Sequence, residues 1–370
     1  MPHTLSIKKI EGKPGQVYYP LQLNEVPKPV PGCGEVLVKI HAAALNHRDF
    51  FVRQHLYPGI GFDSPLLCDG CGTVVELGPG CSSTAQSLLL NKTRSSTPCP
   101  WLKHGSRRTR GHQQVRCNRR HANRYSHGAA QEYVAVRESE VELCPEHLSP
   151  VEGAALPPCG LTGYRALVTK SRNAKPGRNV LITGIGGGVA LQVLQLAVAK
   201  GCNVFVTSGS QAKIDVAISM SAVGGVSYKS EGWEKQLQKL LPADRGFLDT
   251  VIDGAGGDII AKVSRLLKPG GTICNYGMTV APKMDWSMQA VLKHIDLLGC
   301  TTGSRTEFKD LLQFVREHKI RPVISRTVTG LKSLDAIDEL FQDMHQGKQF
   351  GKLVIEIELQ TSQLYSKPWY

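Results

Sequence analysis

NVLITGIGGGVALQVLQLAVAKG, residues 179–201, decides the reading of this chain. A buried-type strand, Asn179–Thr183, runs straight into Gly184-Ile185-Gly186-Gly187-Gly188-Val189, and an apolar helix opens there. Glycines let the backbone turn sharply and approach a pyrophosphate closely. The N–H groups of the first helical turn then point at the anion, aided by the helix dipole. A glycine string alone is weak evidence. Here a strand precedes it, a helix follows, and a second strand, NVFVT (203–207), closes a βαβ unit of the right length. Gly184, Gly186, Gly187, Gly188 and Val189 are therefore read as a dinucleotide's diphosphate cradle, against the alternative of a tight turn with no ligand.

The pattern continues outward from this unit. LDTVI (248–252), GTICNY (271–276) and IDLLGC (295–300) are short apolar strands separated by helical patterns. Continuous apolar strands alternating with helices predict an α/β domain with a doubly wound parallel sheet covered on both faces. The first 80 residues differ: a Pro/Gly-rich bend is followed by the β-branched run Val36–Ile40, and CGTVVELGPG is a second strand ending in a turn. HGAAQEYVAV (127–136) is a further strand. Residues 149–171 are predicted helical, with Ser149 as N-cap and Pro150 at the first position. A helix over about 333–346 and the strand KLVIEIEL (352–359) complete the folded part.

The end of the second strand selects the dinucleotide. NAD sites commonly place a carboxylate there, about 20 residues after the glycines, to bond the ribose hydroxyls. This chain has Thr207-Ser208-Gly209-Ser210, with Lys213 just beyond. Nothing there repels a 2′-phosphate, and Ser208 and Lys213 can bond it, so NADP(H) is the expected cofactor. Asp253, ending another apolar strand at its carboxyl edge, either contacts ribose or caps the following turn.

The net charge of +13 would suggest a nucleic-acid or acidic-membrane partner. It is concentrated, however. Residues 85–127 carry ten Lys and Arg and no Asp or Glu, leaving 34 basic against 31 acidic residues elsewhere. Eleven cysteines, odd in number and scattered through apolar contexts, read as reduced thiols. No apolar run approaches the roughly 20 residues that span a bilayer. The first residues lack the apolar core of a secretory signal, so no membrane association and a cytoplasmic location are expected.

Several segments in order (PGCGEVLVKIHAAALNHRD, DGCGTVVELGPG, AAQEYVAV, LTGYRALV, GIGGGVALQVLQLAVAKG, TSGSQAKI, FGKLVIEI) resemble the medium-chain dehydrogenase/reductase superfamily, in particular its zinc-independent quinone-oxidoreductase and enoyl-reductase-like branch. The resemblance implies a GroES-like β-barrel catalytic domain at 1–155, a Rossmann domain at 156–325, a return to the first domain at 326–358 and a loose tail at 359–370. It also implies an active-site role for Asn46. Thr162 would lie beside the nicotinamide, Tyr228 near the 2′-phosphate, and Lys352 near the cofactor. Tyr57 is a candidate proton donor. Phe51 stands where the branch often carries Tyr, which leaves the donor unassigned, and Asp49 is expected to be structural.

The superfamily's catalytic zinc would need a Cys, a His and a further Cys or His. Asn46 stands at the first place, Cys68-Asp69 at the second and Pro158 at the third, with Cys159 one residue off. No zinc is expected. Cys68 and Cys71 spell C-x-x-C but lie in a strand-like run and are read as core thiols. Without a Lewis acid, the chemistry that fits is hydride addition to the β-carbon of an enone or quinone, giving an enolate that hydrogen-bond donors stabilise. The expected function is an NADPH-dependent oxidoreductase acting on a small-molecule quinone, enone or similar substrate, with a homodimer as its assembly. The alternatives are a zinc-dependent alcohol dehydrogenase and, in another class, a non-catalytic nucleotide- and nucleic-acid-binding protein using basic segment 92–124.

Residues 85–127 match nothing in the superfamily and show neither helical nor strand period. Three readings stand: a coding error such as a misplaced intron or shifted frame, a disordered basic loop, and a functional insert. In the last, Cys99, His104, Cys117 and His121 would hold metal, or the basic residues would grip phosphates.

Overall fold

The computed structural model describes residues 1–82, 94–97 and 128–357. The Cys99–His121 quartet, most of basic segment 92–124 and the 359–370 tail lie outside them. The chain divides into two compact units, Met1–Pro157 with Ile324–Tyr370, and Pro158–Val323.

The first unit begins with strands β1 (His3–Ile7), β2 (Leu21–Glu25), β3 (Glu35–Ala44), β4 (Asp69–Leu77), β5 (Arg94–Thr97), β6 (Tyr133–Arg137) and β7 (Glu142–Leu143). The second unit holds β8 (Asn179–Ile182), β9 (Asn203–Ser208), β10 (Gly224–Ser227), β11 (Leu248–Asp253), β12 (Gly256–Gly257), β13 (Leu267–Asn275), β14 (Ala281–Met284) and β15 (Asp296–Gly299). The chain then returns to the first unit with β16 (Ile324–Thr329) and β17 (Lys352–Glu356).

In the first unit, β16-β17-β3-β4-β5-β7 form one sheet and β6 pairs with β3. The ten-residue β3 is its spine. Val36, Val38 and Ile40 pack with Val74, Val134 and Val136 on one side, while Ala43 belongs to a second core with Leu5, Leu353, Ile355 and Phe341. β5 corrects the reading of 85–127 as lacking strand. Arg94–Thr97 is held from both sides by antiparallel pairing to β4 and β7. Backbone pairing needs no side-chain alternation, so hydrophobic period carries no signal for it.

The second unit is built on a six-stranded sheet ordered β10-β9-β8-β11-β13-β15, parallel throughout. β8 and β11 are buried at every residue. That is the signature of strands covered on both faces. Strand order reverses between β8 and β11, which makes the crevice above their carboxyl ends the ligand-binding point of such a sheet. Ser149 caps the helix Pro150–Ala155 through a capping box with Glu152, but the helix is not continuous to 171. A second helix, Pro157–Tyr164, passes into a π-helical turn, Arg165–Lys170, where Ser171 N–H reaches back to Ala166 O at 3.0 Å. Among the described residues no helix is long and apolar enough to cross a membrane.

At the opposite, amino-terminal edge, one carboxylate anchors three strands. Fully buried Asp249 binds Arg245 Nη2 (2.6 Å), Arg178 Nη1 (2.8 Å), Lys268 Nζ (2.9 Å) and the Asn179 N–H (2.9 Å). These partners outweigh burial and hold its carboxyl well below the usual carboxylate range. A group depressed in the folded state stabilises above its unfolded pKa, near 4, and loses that contribution as pH falls. Asp249→Asn should therefore cost about 2 kcal/mol at pH 7, below the usual figure for a broken buried pair because the three cations stay partly solvated. Urea unfolding at pH 7 and pH 3 checks it: the gap between variant and wild type should narrow at the lower pH, because only the unfolded chain takes up the proton there.

Candidate functional site

The second unit presents the dinucleotide edge. After β8, Gly184 (φ +63°) and Gly186 (φ +119°) take backbone conformations that side chains rarely adopt, and Gly187 caps the helix Gly188–Ala199. The turn is tied to β9: Ile185 N–H donates to Thr207 O at 2.8 Å and Gly184 N–H to Thr207 Oγ1 at 3.3 Å. Val189 lies in the first turn of that helix. A Cβ on Gly184 would meet nothing within 4 Å, so the amides of the turn are approachable from that side.

The rim beyond β9 carries hydroxyls and ammonium groups. Ser208 is buried, its hydroxyl between Ile185 O (3.5 Å) and Ser210 N–H (3.2 Å). Lys213 lies along the glycine turn, with Nζ 3.3 Å from where a Cβ on Gly186 would stand. Burial lowers its pKa. Tyr228 and Lys229 close over Gly209, the hydroxyl and Cε lying 2.6 and 2.9 Å from its Cβ position. Sequence reasoning missed Lys229. The signal was available, since it adjoins Tyr228 in the same VSYK segment.

Asp253 caps the turn that follows β11. Its carboxylate accepts from Thr183 Oγ1 (2.6 Å), Asn275 Nδ2 (2.7 Å), Gly256 N–H (2.9 Å) and Ala255 N–H (3.1 Å). Thr162, on the helix Pro157–Tyr164, is buried, and its carbonyl receives the Cys300 thiol at 3.7 Å. It thus stands over the end of β15.

In the first unit, Asn46, Asp69 and Lys352 form a closed network. Lys352 Nζ donates to Asn46 Oδ1 (2.7 Å) and Leu45 O (2.7 Å) and lies 3.4 Å from Asp69 Oδ2. Asn46 Nδ2 donates to the same Asp69 oxygen at 2.9 Å, and Asn46 N–H to Asp49 Oδ2 at 3.0 Å. Burial raises the Asp69 carboxyl to about 6, with the Lys352 ammonium opposing. Burial also raises Asp49, against Arg48, whose Nη1 is 3.1 Å from Oδ1. It lowers His47, as does Lys352. Asn46 and Lys352 therefore spend these bonds on each other and on Asp69. Tyr57 lies beneath the Arg48 guanidinium, 5.3 Å from its ring centre, at a small cavity also lined by Val52, Ile60 and Leu66. Cys68 and Cys71 are buried, as core thiols should be.

These residues do not suit a zinc ion. The amide oxygen and the carboxylate already bind an ammonium, which would repel a dication, and Cys68 supplies one soft ligand where three ligands are required. Among the described residues no cluster of three His, Cys, Asp or Glu could hold a metal.

Comparison with known proteins agrees with this architecture. The zinc-binding dehydrogenase model matches residues 188–317, and the alcohol dehydrogenase GroES-like domain model matches 32–146. A zinc-type alcohol dehydrogenase-like protein, YogA, of Leptosphaeria maculans is 58% identical over 359 residues, covering 96% of this chain and 100% of its own. An acryloyl-coenzyme A reductase of Metallosphaera sedula is 28% identical over 346 residues, covering 90% and 96%. The crystal structure of an NAD-dependent alcohol dehydrogenase superposes with a TM-score of 0.80 at 27% identity, covering 97% and 100%. The fold and the glycine turn define a nicotinamide-dependent oxidoreductase. The chain belongs to the medium-chain dehydrogenase/reductase superfamily, with a GroES-like domain and a Rossmann-type parallel sheet.

Proposed function

We infer that this protein is an NADPH-dependent reductase of quinones, enones or similar activated alkenes, working without catalytic zinc. The observation that carries the cofactor choice is the rim beyond β9: Tyr228 and Lys229 over Gly209 and Lys213 over Gly186, with no carboxylate in the sequence 207–213. What favours a reductase over an alcohol dehydrogenase is the Lys352 ammonium bound to Asn46 and Asp69, at the place where the superfamily's zinc enzymes hold ligands.

When bound, the reduced nicotinamide supplies the hydride. The chain's own contributions are separate. Glycine-turn amides hold the diphosphate, and Ser208, Lys213, Tyr228 and Lys229 bind the 2′-phosphate. Thr162 orients the ring. Asn46 with Lys352 keeps a fixed polar wall in the first unit. A small-molecule substrate, a cytoplasmic location and a homodimer built on the outer strand β15 belong to the same reading.

The test is cofactor titration. A hydrogen bond to a charged group contributes about 1.5–3 kcal/mol net, and each 1.4 kcal/mol is tenfold in affinity. Lys213→Ala should therefore weaken NADPH binding by roughly 10–150-fold and leave NADH nearly unchanged, read by nicotinamide fluorescence. Tighter NADH than NADPH binding by the wild type, or stoichiometric zinc in the active enzyme, overturns the reading.

A further inference from the structure

We propose that the Tyr276 hydroxyl is the hydrogen-bond donor to the substrate's carbonyl oxygen. This rests on the reductase reading above and names the group that steadies its product-forming anion.

The sheet itself sets the direction. With the proposed 2′-phosphate rim at β9 and the glycine turn after β8, a dinucleotide crossing the switch point would carry its nicotinamide half over the ends of β11, β13 and β15. Most polar groups at those ends are committed. Thr183 and Asn275 are bonded to Asp253, Asn275 also donates to Gly277 O at 2.7 Å, and Thr279 Oγ1 donates to Gly254 O at 3.2 Å. Tyr276 differs. Its N–H is fixed to Asp253 O at 2.8 Å, so the residue is anchored at the end of β13. Its ring lies on Gly254, where a Cβ would come within 2.5 Å of Cζ; only glycine at 254 admits it. Its hydroxyl makes no hydrogen bond among the described residues. Thr162 stands on the helix Pro157–Tyr164, its carbonyl against Cys300 just past the end of β15, so both hydroxyl-bearing residues belong to one end of the sheet.

The surroundings suit a donor. Burial, Asp253 and Cys159 all push the phenol's pKa up, which keeps its proton in place throughout the working range. Such a phenol cannot serve as the base that alcohol oxidation wants, but it can hydrogen-bond an oxygen that gains negative charge. As hydride reaches the β-carbon, the C=C electron pair moves toward the carbonyl and charge builds on its oxygen. The Tyr276 O–H stabilises that oxygen, and solvent delivers the proton to the α-carbon, giving the saturated ketone. Removing one such donor typically lowers kcat by 10²–10³-fold.

Tyr276→Phe keeps the ring on Gly254 and deletes only the hydroxyl. With NADPH and 2-cyclohexenone or a benzoquinone as probes, kcat should fall about 100-fold, with NADPH affinity changed less than threefold and the melting temperature held. With the oxidised cofactor and 2-cyclohexenone bound together, the enone carbonyl stretch should lie at lower frequency in wild type than in the variant. Unchanged kcat or an unchanged carbonyl frequency in an active enzyme overturns this inference alone. A fall in kcat matched by lost cofactor affinity or lost stability also overturns it, because the residue is then structural. Failure of the wild type to turn over any of these probes with NADPH overturns the reductase reading and this inference with it.

Discussion

Gly186→Val should abolish NADPH binding in the titratable range while leaving the protein folded. Two physical effects add. At φ +119° a β-branched residue is held in a region reserved for glycine, a strain of order 1–3 kcal/mol. Its Cβ would also stand 3.0 Å from Lys213 Cδ, so the lysine must move. The turn can relieve the strain only by rotating its peptides, and those peptides carry the N–H groups that meet the diphosphate. Affinity should therefore fall by at least 100-fold for NADPH and NADH alike, in contrast to Lys213→Ala, which discriminates between them. Fluorescence titration with both cofactors reads this, and circular dichroism confirms the sheet. If Gly186→Val binds NADPH within threefold of wild type, the turn is not the diphosphate cradle.

That turn was legible because its chemistry is local. Strand, glycines and helix are consecutive, and a helix start states its own anion preference. The same holds for the Ser149-Pro150 helix start and for the apolar strands β8, β9, β11 and β13. What stayed hidden depends on partners distant in sequence. β5 is a strand because β4 and β7 flank it, not because Arg94–Thr97 has a strand's pattern. The π-helical turn at Arg165–Lys170 leaves no signature in composition. Asp253 offered two roles from sequence, and its bonds to Thr183 and Asn275 appear only in the structure. Asn46 was singled out by the family resemblance. Its bonds to Asp69, 23 positions away, and to Lys352, 306 away, appear only once β17 lies beside β3.

That network yields the second large effect. Lys352→Met should lower stability by about 3–5 kcal/mol at neutral pH, the usual result of leaving a buried charge without its partner. At roughly 2–4 °C per kcal/mol for a unit of this size, the melting temperature should drop by about 10 °C. The pH dependence separates this from a simple loss of packing. Asp69 already has a folded pKa of about 6, above the 3.8 of the free side chain. An acid whose pKa rises on folding favours the folded state below its unfolded pKa and loses that advantage as pH climbs through the folded value. In wild type this penalty develops between about pH 4 and 6. Without the opposing ammonium the folded pKa of Asp69 rises further, so in Lys352→Met the decline extends toward and past neutrality. The two proteins should be closest in stability near pH 4.5 and farthest apart near pH 8. Adding Asp69→Asn to the variant should flatten its curve and restore part of the loss, since a neutral amide needs no counter-charge. Parallel pH–stability curves for wild type and Lys352→Met would mean that the ammonium does not neutralise Asp69. The Asn46 and Asp69 oxygens would then be open to a metal, because no fixed lysine charge would hold them.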